Sequence, residues 1–203
     1  MGLFTKNLAL SGVAFGLAVS SLSSSSYAGV FSLPHFVTSD EFSVGLEPEL
    51  TLSNNAGLGA NFKYTQGLND LLNATAIIGT GGGDRGFRVG GSTNFDFFPD
   101  AASQPGIGLA VQGIYYKLPT TGQFDLTAIP YVHKTFETTT TQIEPFFSFP
   151  VGMGFADGRY KALSTAVIGA MFKANQHVTY VTELGVAVNN TESYFSGGFT
   201  FYH

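Results

Sequence analysis

The sequence predicts an all-β fold: a closed antiparallel β-barrel of ten strands, with eight as the alternative, set in a membrane. Three observations lead there. Apolar residues recur at every second position almost throughout the chain. The face opposite them is built of small polar residues. Charge is scarce, at 11% of residues against roughly 25% in an ordinary soluble domain, and Gly (26) and Phe (20) are abundant instead.

The N-terminus stands apart from this pattern. Lys6 precedes an apolar run from Leu8 to Val19, and "SSSSYA" ends in Ser26-Tyr27-Ala28, the small-x-small pattern of a cleavage site. The run falls short of the roughly 18 to 20 residues of a spanning helix. Residues 1–28 are therefore predicted to be a signal peptide, and 29–203 one domain with no internal linker. There is no Cys, hence no disulfide, no lipidated Cys and no thiolate metal site. The formal net charge of -5 carries no basic run, which argues against nucleic acid as a partner.

The first strand is read in "EFSVGLEPELTLS". Phe42, Val44, Leu46, Pro48, Leu50 and Leu52 share one face, with Ser43, Gly45, Glu47, Glu49, Thr51 and Ser53 on the other. After the turn signal "NNAG", Leu58, Ala60, Phe62 and Tyr64 alternate with Gly59, Asn61, Lys63 and Thr65. "LNATAIIG" is a short third strand. "GTGGGDRG" then reads as a flexible hairpin loop, lacking the Lys-Ser/Thr of a phosphate loop. The fourth strand, "FRVGGSTNFDF", sets Phe87, Val89, Phe95 and Phe97 against Arg88, Asn94 and Asp96. "IGLAVQGIYYK" and "FDLTAIPYVHK" follow. "QIEPFFSFPVGM" sets Ile143, Pro145, Phe147 and Phe149 against Gln142, Glu144, Phe146 and Ser148. "YKALSTAVIGAMFK" is apolar on both faces. "HVTYVTELGVAV" and "SYFSGGFTF" complete the ten. Pro in "LEPEL", "AIPYV" and "IEPFF" cannot donate to a ladder, so bulges are expected there.

Alternation alone does not say which face looks outward. A soluble sheet would carry a long, mixed-charge polar face. Here that face is Gly, Ser, Thr, Ala and Asn with isolated charges, as suits a confined inner wall. The face of Phe, Tyr, Leu and Val suits lipid, where closure is required because an open edge leaves backbone groups unsatisfied. Segment lengths match the roughly 9 to 11 residues of a tilted membrane strand.

With the leader, the alternation and the ending in which Phe195, Phe199, Phe201 and His203 share a face, the chain resembles a small bacterial outer-membrane β-barrel protein. The resemblance covers the whole mature chain as an architecture. It implies residence in the bacterial outer membrane among its lipids. It also implies a C-terminal strand read by the barrel-assembly machinery, here Phe195, Phe199, Phe201 and His203, with His203 standing where Phe is usual. It leaves the oligomeric state open.

The candidate functional residues are the charges assigned to the inner wall: Glu47, Glu49, Lys63, Arg88, Asp96, Glu144, Lys161 and Glu183. The expectation is either an ion-pair network that fills the barrel or the lining of a narrow pore for ions or small solutes. Since eight strands are just filled by side chains, the filled interior is the preferred reading. No cofactor and no metal site is expected, because His35, His133, His177 and His203 lack metal-motif spacing. The function expected is that of a non-enzymatic envelope protein. The alternatives are a lipid-modifying outer-membrane enzyme and a soluble periplasmic binding barrel with its faces reversed. His177, Thr179 and Glu183 share a face, yet six residues at about 3.3 Å each put the outer two roughly 20 Å apart, too far to act as a catalytic set. The outward loops, taking the N-terminus as periplasmic, are all short, which leaves little surface for binding a protein.

Overall fold

The computed structural model describes Val37 and residues 39–53, 56–83, 85–101 and 103–203. The leader expected over 1–28 lies outside the described residues. The strands are β1 (Phe42–Thr51), β2 (Gly57–Asn69), β3 (Leu72–Thr80), β4 (Phe87–Phe98), β5 (Gly106–Lys117) and β6 (Gly122–His133), then β7 (Phe136–Glu137), β8 (Gln142–Ser148), β9 (Val151–Ala156), β10 (Arg159–Lys173), β11 (Val178–Asn189) and β12 (Tyr194–Tyr202). Each wall strand pairs antiparallel with its neighbours, and β12 returns to β1, with Ser43 opposite Tyr202 and Leu50 opposite Phe195. The sheet is closed.

Ten strands form the wall, as the sequence predicts. The two-residue β7 is a ribbon on β8, and β8 and β9 are successive halves of one wall strand between β6 and β10. The halves part at Phe149-Pro150, alongside Pro130 of β6, whose carbonyl accepts the Phe149 N–H at 3.0 Å. The bulges expected at mid-strand prolines lie elsewhere. Pro48, Pro130 and Pro145 sit in unshifted registers, whereas the shifts occur at Gly67/Asn69, Asp96/Phe98 and Ser164/Thr165. An unshifted register tolerates Pro where its missing donor is not needed, and all three of these rings point outward.

One rim, here called proximal, carries His203 and the turns between β2 and β3, β4 and β5, β6 and β8, and β10 and β11. The other, distal rim carries the remaining hairpins. Its tightest is Ala156–Arg159, where Asp157 (φ 50) and Gly158 (φ 70) both adopt positive φ, the geometry that an Asp-Gly pair supplies to a two-residue hairpin.

Burial alternates with the sequence pattern in phase. Leu46, Phe62, Ile78, Leu126, Phe147 and Leu184 are exposed on the outer surface, while Glu47, Asn61, Lys63, Arg88, Thr127 and Glu183 are buried within. Aromatic side chains gather toward both rims, including Phe87, Tyr115, Phe124 and Phe155 distally and Phe97, Phe98, Phe172 and Tyr180 proximally. The unbroken wall strands are 9 to 15 residues long. An apolar outside, a polar inside, aromatic girdles and closure define a barrel that crosses a bilayer. The doubly apolar tenth strand resolves here: Leu163, Val167 and Met171 turn inward, and Ile168 and Phe172 outward.

Candidate functional site in the barrel interior

The interior has three parts. The first is an ionic cluster on the β1–β4 side. Glu49, 1% exposed, projects inward from β1 and takes one guanidinium on each oxygen. Arg85 Nη2 donates to Oε1 at 2.8 Å, and Arg88 Nη2 lies 2.8 Å from Oε2. Asn61 Nδ2 and Thr51 Oγ1 approach the same carboxylate at 3.4 Å. Arg85 also donates to Thr51 Oγ1 at 2.5 Å and, through Nε, to the Gly82 carbonyl at 3.2 Å, and it lies 3.2 Å from Glu192 Oε2. Burial alone would pull the Arg85 guanidinium down, but Glu49 and Glu192 outweigh it and hold the group above its ordinary value.

Arg85 comes from the Gly-rich loop that joins the paired strands β3 and β4, a hairpin loop as the sequence predicts, and its inward arginine is what that reading did not anticipate. The loop folds its arginine back into the barrel, where 2% of the residue remains exposed. Gly82 permits this in two ways. Its φ is +119°, and a Cβ there would stand 3.0 Å from Thr51 Oγ1 and 3.1 Å from Arg85 Nη2. Next to this cluster, Lys63 Nζ and Glu47 Oε2 are 2.6 Å apart across β1 and β2. Glu183, 2% exposed on β11, has Tyr194 as its hydrogen-bonding neighbour and feels the positive charge of Lys63. On β6, Asp125 accepts a hydrogen bond from Gln123 Nε2 at 2.7 Å and faces Arg85 and Lys161.

The second part is an apolar body along β6, β8, β10, β11 and β12, made by Tyr131, Phe146, Val167, Met171, Val181 and Tyr194 with Ala110 and Ile129. Val167 and Tyr194 are wholly buried. A smaller cluster of Ile77, Ile114, Tyr116 and Leu118 packs on the β3 and β5 side.

The third part is a vestibule of about 680 Å³ at the proximal end. Its inner wall holds His133, whose Nδ1 is 2.6 Å from Glu144 Oε1 and whose Nε2 is 3.8 Å from Asp96 Oδ1. At the mouth, Lys134 Nζ lies 2.5 Å from Asp100 Oδ1, and the Thr135 N–H donates to Asp100 Oδ2 at 2.6 Å. Partial burial would raise the Asp100 carboxyl, but these partners outweigh it and hold the group below the ordinary carboxylate value. A further cavity of about 400 Å³ opens near the distal rim beside Gln123, Arg159 and Lys161, and it shares no lining residue with the vestibule.

The eight charges picked from the sequence thus divide. Glu47 pairs with Lys63, and Glu49 with Arg88. Asp96 and Glu144 flank His133 in the vestibule, while Lys161 lines the distal cavity and Glu183 is buried deep within. The sequence reading missed Arg85, Asp125, His133 and Glu192. Asp125 and His133 were legible, since both alternate with the outward Phe124, Leu126 and Val132. No periodic signal marks Arg85 or Glu192, which lie in loops. His177 is exposed in a turn, where Nδ1 lies 3.3 Å from the Tyr202 carbonyl; it lines the vestibule together with the buried Thr179, whereas Glu183 is buried outside that lining. Among the described residues no group of three His, Cys, Asp or Glu is placed to hold a metal ion. In the terminal strand, Phe195 and Phe201 are exposed on the outer surface, and His203 packs edge-on against Phe42 with ring centroids 5.1 Å apart.

No protein-family model matches the chain, and no curated sequence does. Among solved structures it is similar to an outer membrane channel from Pseudomonas putida F1, with 9% identity, a TM-score of 0.46, and 85% of this chain and 96% of that one covered. It is also similar to a de novo designed transmembrane β-barrel, with 12% identity, a TM-score of 0.38, and 83% and 100% covered.

Proposed function

We propose that this chain is a non-enzymatic protein of the bacterial outer membrane that serves structurally, as a barrel held shut, with its proximal rim toward the periplasm. The observation that carries the reading is the packed interior: Arg85, Arg88 and Glu49 on one side and the apolar body from Tyr131 to Tyr194 on the other are buried inside the barrel, and the cavities at its two rims share no lining residue. A buried charge is tolerated when it is paired and hydrogen-bonded, and Glu49 meets both conditions. The exported chain is expected in the outer-membrane fraction as a heat-modifiable band on a denaturing gel. In planar bilayers the purified protein is expected to give no unitary conductance steps. Recovery in the soluble periplasm, or regular steps, contradicts the reading. The cavities at both rims favour a second reading, a narrow pore closed in this state. In that case an open form carrying Arg88→Glu would shift its ion selectivity, because Arg88 lies beside any path along the β1–β4 wall.

By the same reading, Phe195, Phe199, Phe201 and His203 form the strand recognised by the assembly machinery. Phe199→Ser/Phe201→Ser is expected to lower the amount of folded barrel without changing the unfolding midpoint of the fraction that does fold.

A further inference from the structure

His133 stands at the end of β6, opposite Gly106 of β5, and its imidazole reaches a carboxylate on each side. Nδ1 is 2.6 Å from Glu144 Oε1 on the neighbouring β8, and Nε2 is 3.8 Å from Asp96 Oδ1 on β4, beyond β5. Two glycines make the longer reach possible. A Cβ at Gly106 would collide with the His133 ring, and one at Gly108 with the ring of Tyr131, so both rings lie across bare backbone of β5. Tyr131 is one inward position deeper, its ring centroid 6.0 Å from that of His133, and it donates to the Phe95 carbonyl of β4 at 3.1 Å. His133 lines the vestibule and Tyr131 belongs to the apolar body, so the two rings meet where the hollow space ends. Among the described residues no other ion pair reaches Asp96 or Glu144.

We infer that His133 is a pH-operated clasp on the floor of the vestibule, closed while the imidazole is cationic and released when it is neutral. A cationic imidazole carries an N–H on each nitrogen and serves both carboxylates, whereas a neutral one has a single N–H and presents a lone pair from its other nitrogen. The remaining proton stays at Nδ1, where the Glu144 contact is the shorter. Asp96 is then left facing a lone pair. It is 7% exposed, and an ionised carboxylate at that depth without a donor is costly. It turns to the water of the vestibule instead, and the floor above Tyr131 opens. Histidine is the side chain whose charge ordinarily changes between about pH 5 and 8. Beyond the two carboxylates, the charged or titratable groups facing the clasp are Asp100 with Lys134 at the rim, Tyr131 beneath, and Lys173 of β10 and Tyr202 of β12 across the vestibule. The cluster around Glu49 has no such switch, because its cations are arginines, which stay charged at every pH of interest.

The chain has no Trp, so Tyr131→Trp places a single fluorescent reporter beneath the clasp. Phe146→Trp, opposite His133 on β8, serves the same purpose if the first reporter gives no heat-modifiable folded band. In the folded, detergent-solubilised full chain, the emission is expected to shift to the red, and quenching by the neutral probe acrylamide to rise, as pH is taken from about 5 to about 9, across the ordinary histidine range. With His133→Gln added, the amide serves one carboxylate at every pH, and the red-shifted, quenchable state is expected throughout. With Asp96→Asn added instead, no carboxylate is abandoned, and the protected state is expected throughout. His177 and His203 at the mouth are present in both backgrounds, so a step that belonged to them would persist in each. The two additions predict opposite fixed states, and either one that folds decides the matter. No pH step in the reporter chain, a step that survives in His133→Gln or Asp96→Asn, or a protected reporter in His133→Gln would each overturn the assignment.

Discussion

The two ends of the barrel interior use the same acid chemistry to opposite effect. Around Glu49, one carboxylate meets two guanidiniums at 2.8 Å each, and the space is full. Around His133, two carboxylates share one imidazole, at 2.6 and 3.8 Å, and the space is hollow. An arginine fills volume with a long stem and offers five donors in a planar fork. An imidazole is short, and with one nitrogen facing each carboxylate it has nothing left to occupy the cavity. The difference teaches that the ratio and reach of cations to carboxylates, and not the number of inward charges, decides whether a stretch of a small barrel is closed or open.

Glu49→Gln is the strongest way to break this contrast. It leaves Arg85 and Arg88 buried without their shared anion, and the expected loss is about 3–5 kcal/mol, read as a lower guanidinium midpoint for the barrel reconstituted in lipid. Arg85→Ala is expected to cost less, about 1–3 kcal/mol, because Arg88 still neutralises Glu49. The same variant sharpens the contrast by opening space at the distal end, which raises the entry of small water-soluble reagents from that rim. At the other end, Lys134→Met removes only a rim pair, with an expected cost below about 1 kcal/mol.

That smallest effect carries a pH signature. The folded Asp100 carboxyl titrates below its ordinary value, so the pair's contribution is whole above the unfolded carboxyl's value of about 4. It declines as pH falls and is gone below the lowered folded value. The midpoints of the parent and Lys134→Met are therefore expected to differ at neutral pH and to converge in strong acid.

Much of this was legible in the chain because a closed sheet between lipid and a crowded interior imposes a strict period of two. Phe42 to Leu52 against Ser43 to Ser53 gives the first strand and both its faces, and the same reading reaches the tenth. It failed where the period carries no information. Arg85 and Glu192 reach the interior from loops, and no alternation points to them. The parting of β8 from β9 at Phe149-Pro150 depends on Pro130 of β6 lying alongside, a juxtaposition set by register. The inward run of Leu163, Val167 and Met171 looked ambiguous because part of the interior is itself apolar, so both faces of β10 carry the same kind of residue. His133 was set aside for lacking metal spacing, yet its partners Asp96 and Glu144 come from β4 and β8, which meet it only when the barrel closes.

The chain has no cysteine of its own, so single cysteines report directly on where water reaches. Thr179→Cys places a thiol in the vestibule, and Ser196→Cys places one beside Glu49 and Glu183 on the paired strands. With folded barrels in vesicles and a small charged methanethiosulfonate added at the proximal rim, the thiol at 179 is expected to react rapidly and the thiol at 196 to stay protected until the barrel is unfolded. Comparable rates at both positions would mean that water runs past the ionic cluster, and would contradict an interior that is hollow at the proximal end and filled at the level of that cluster.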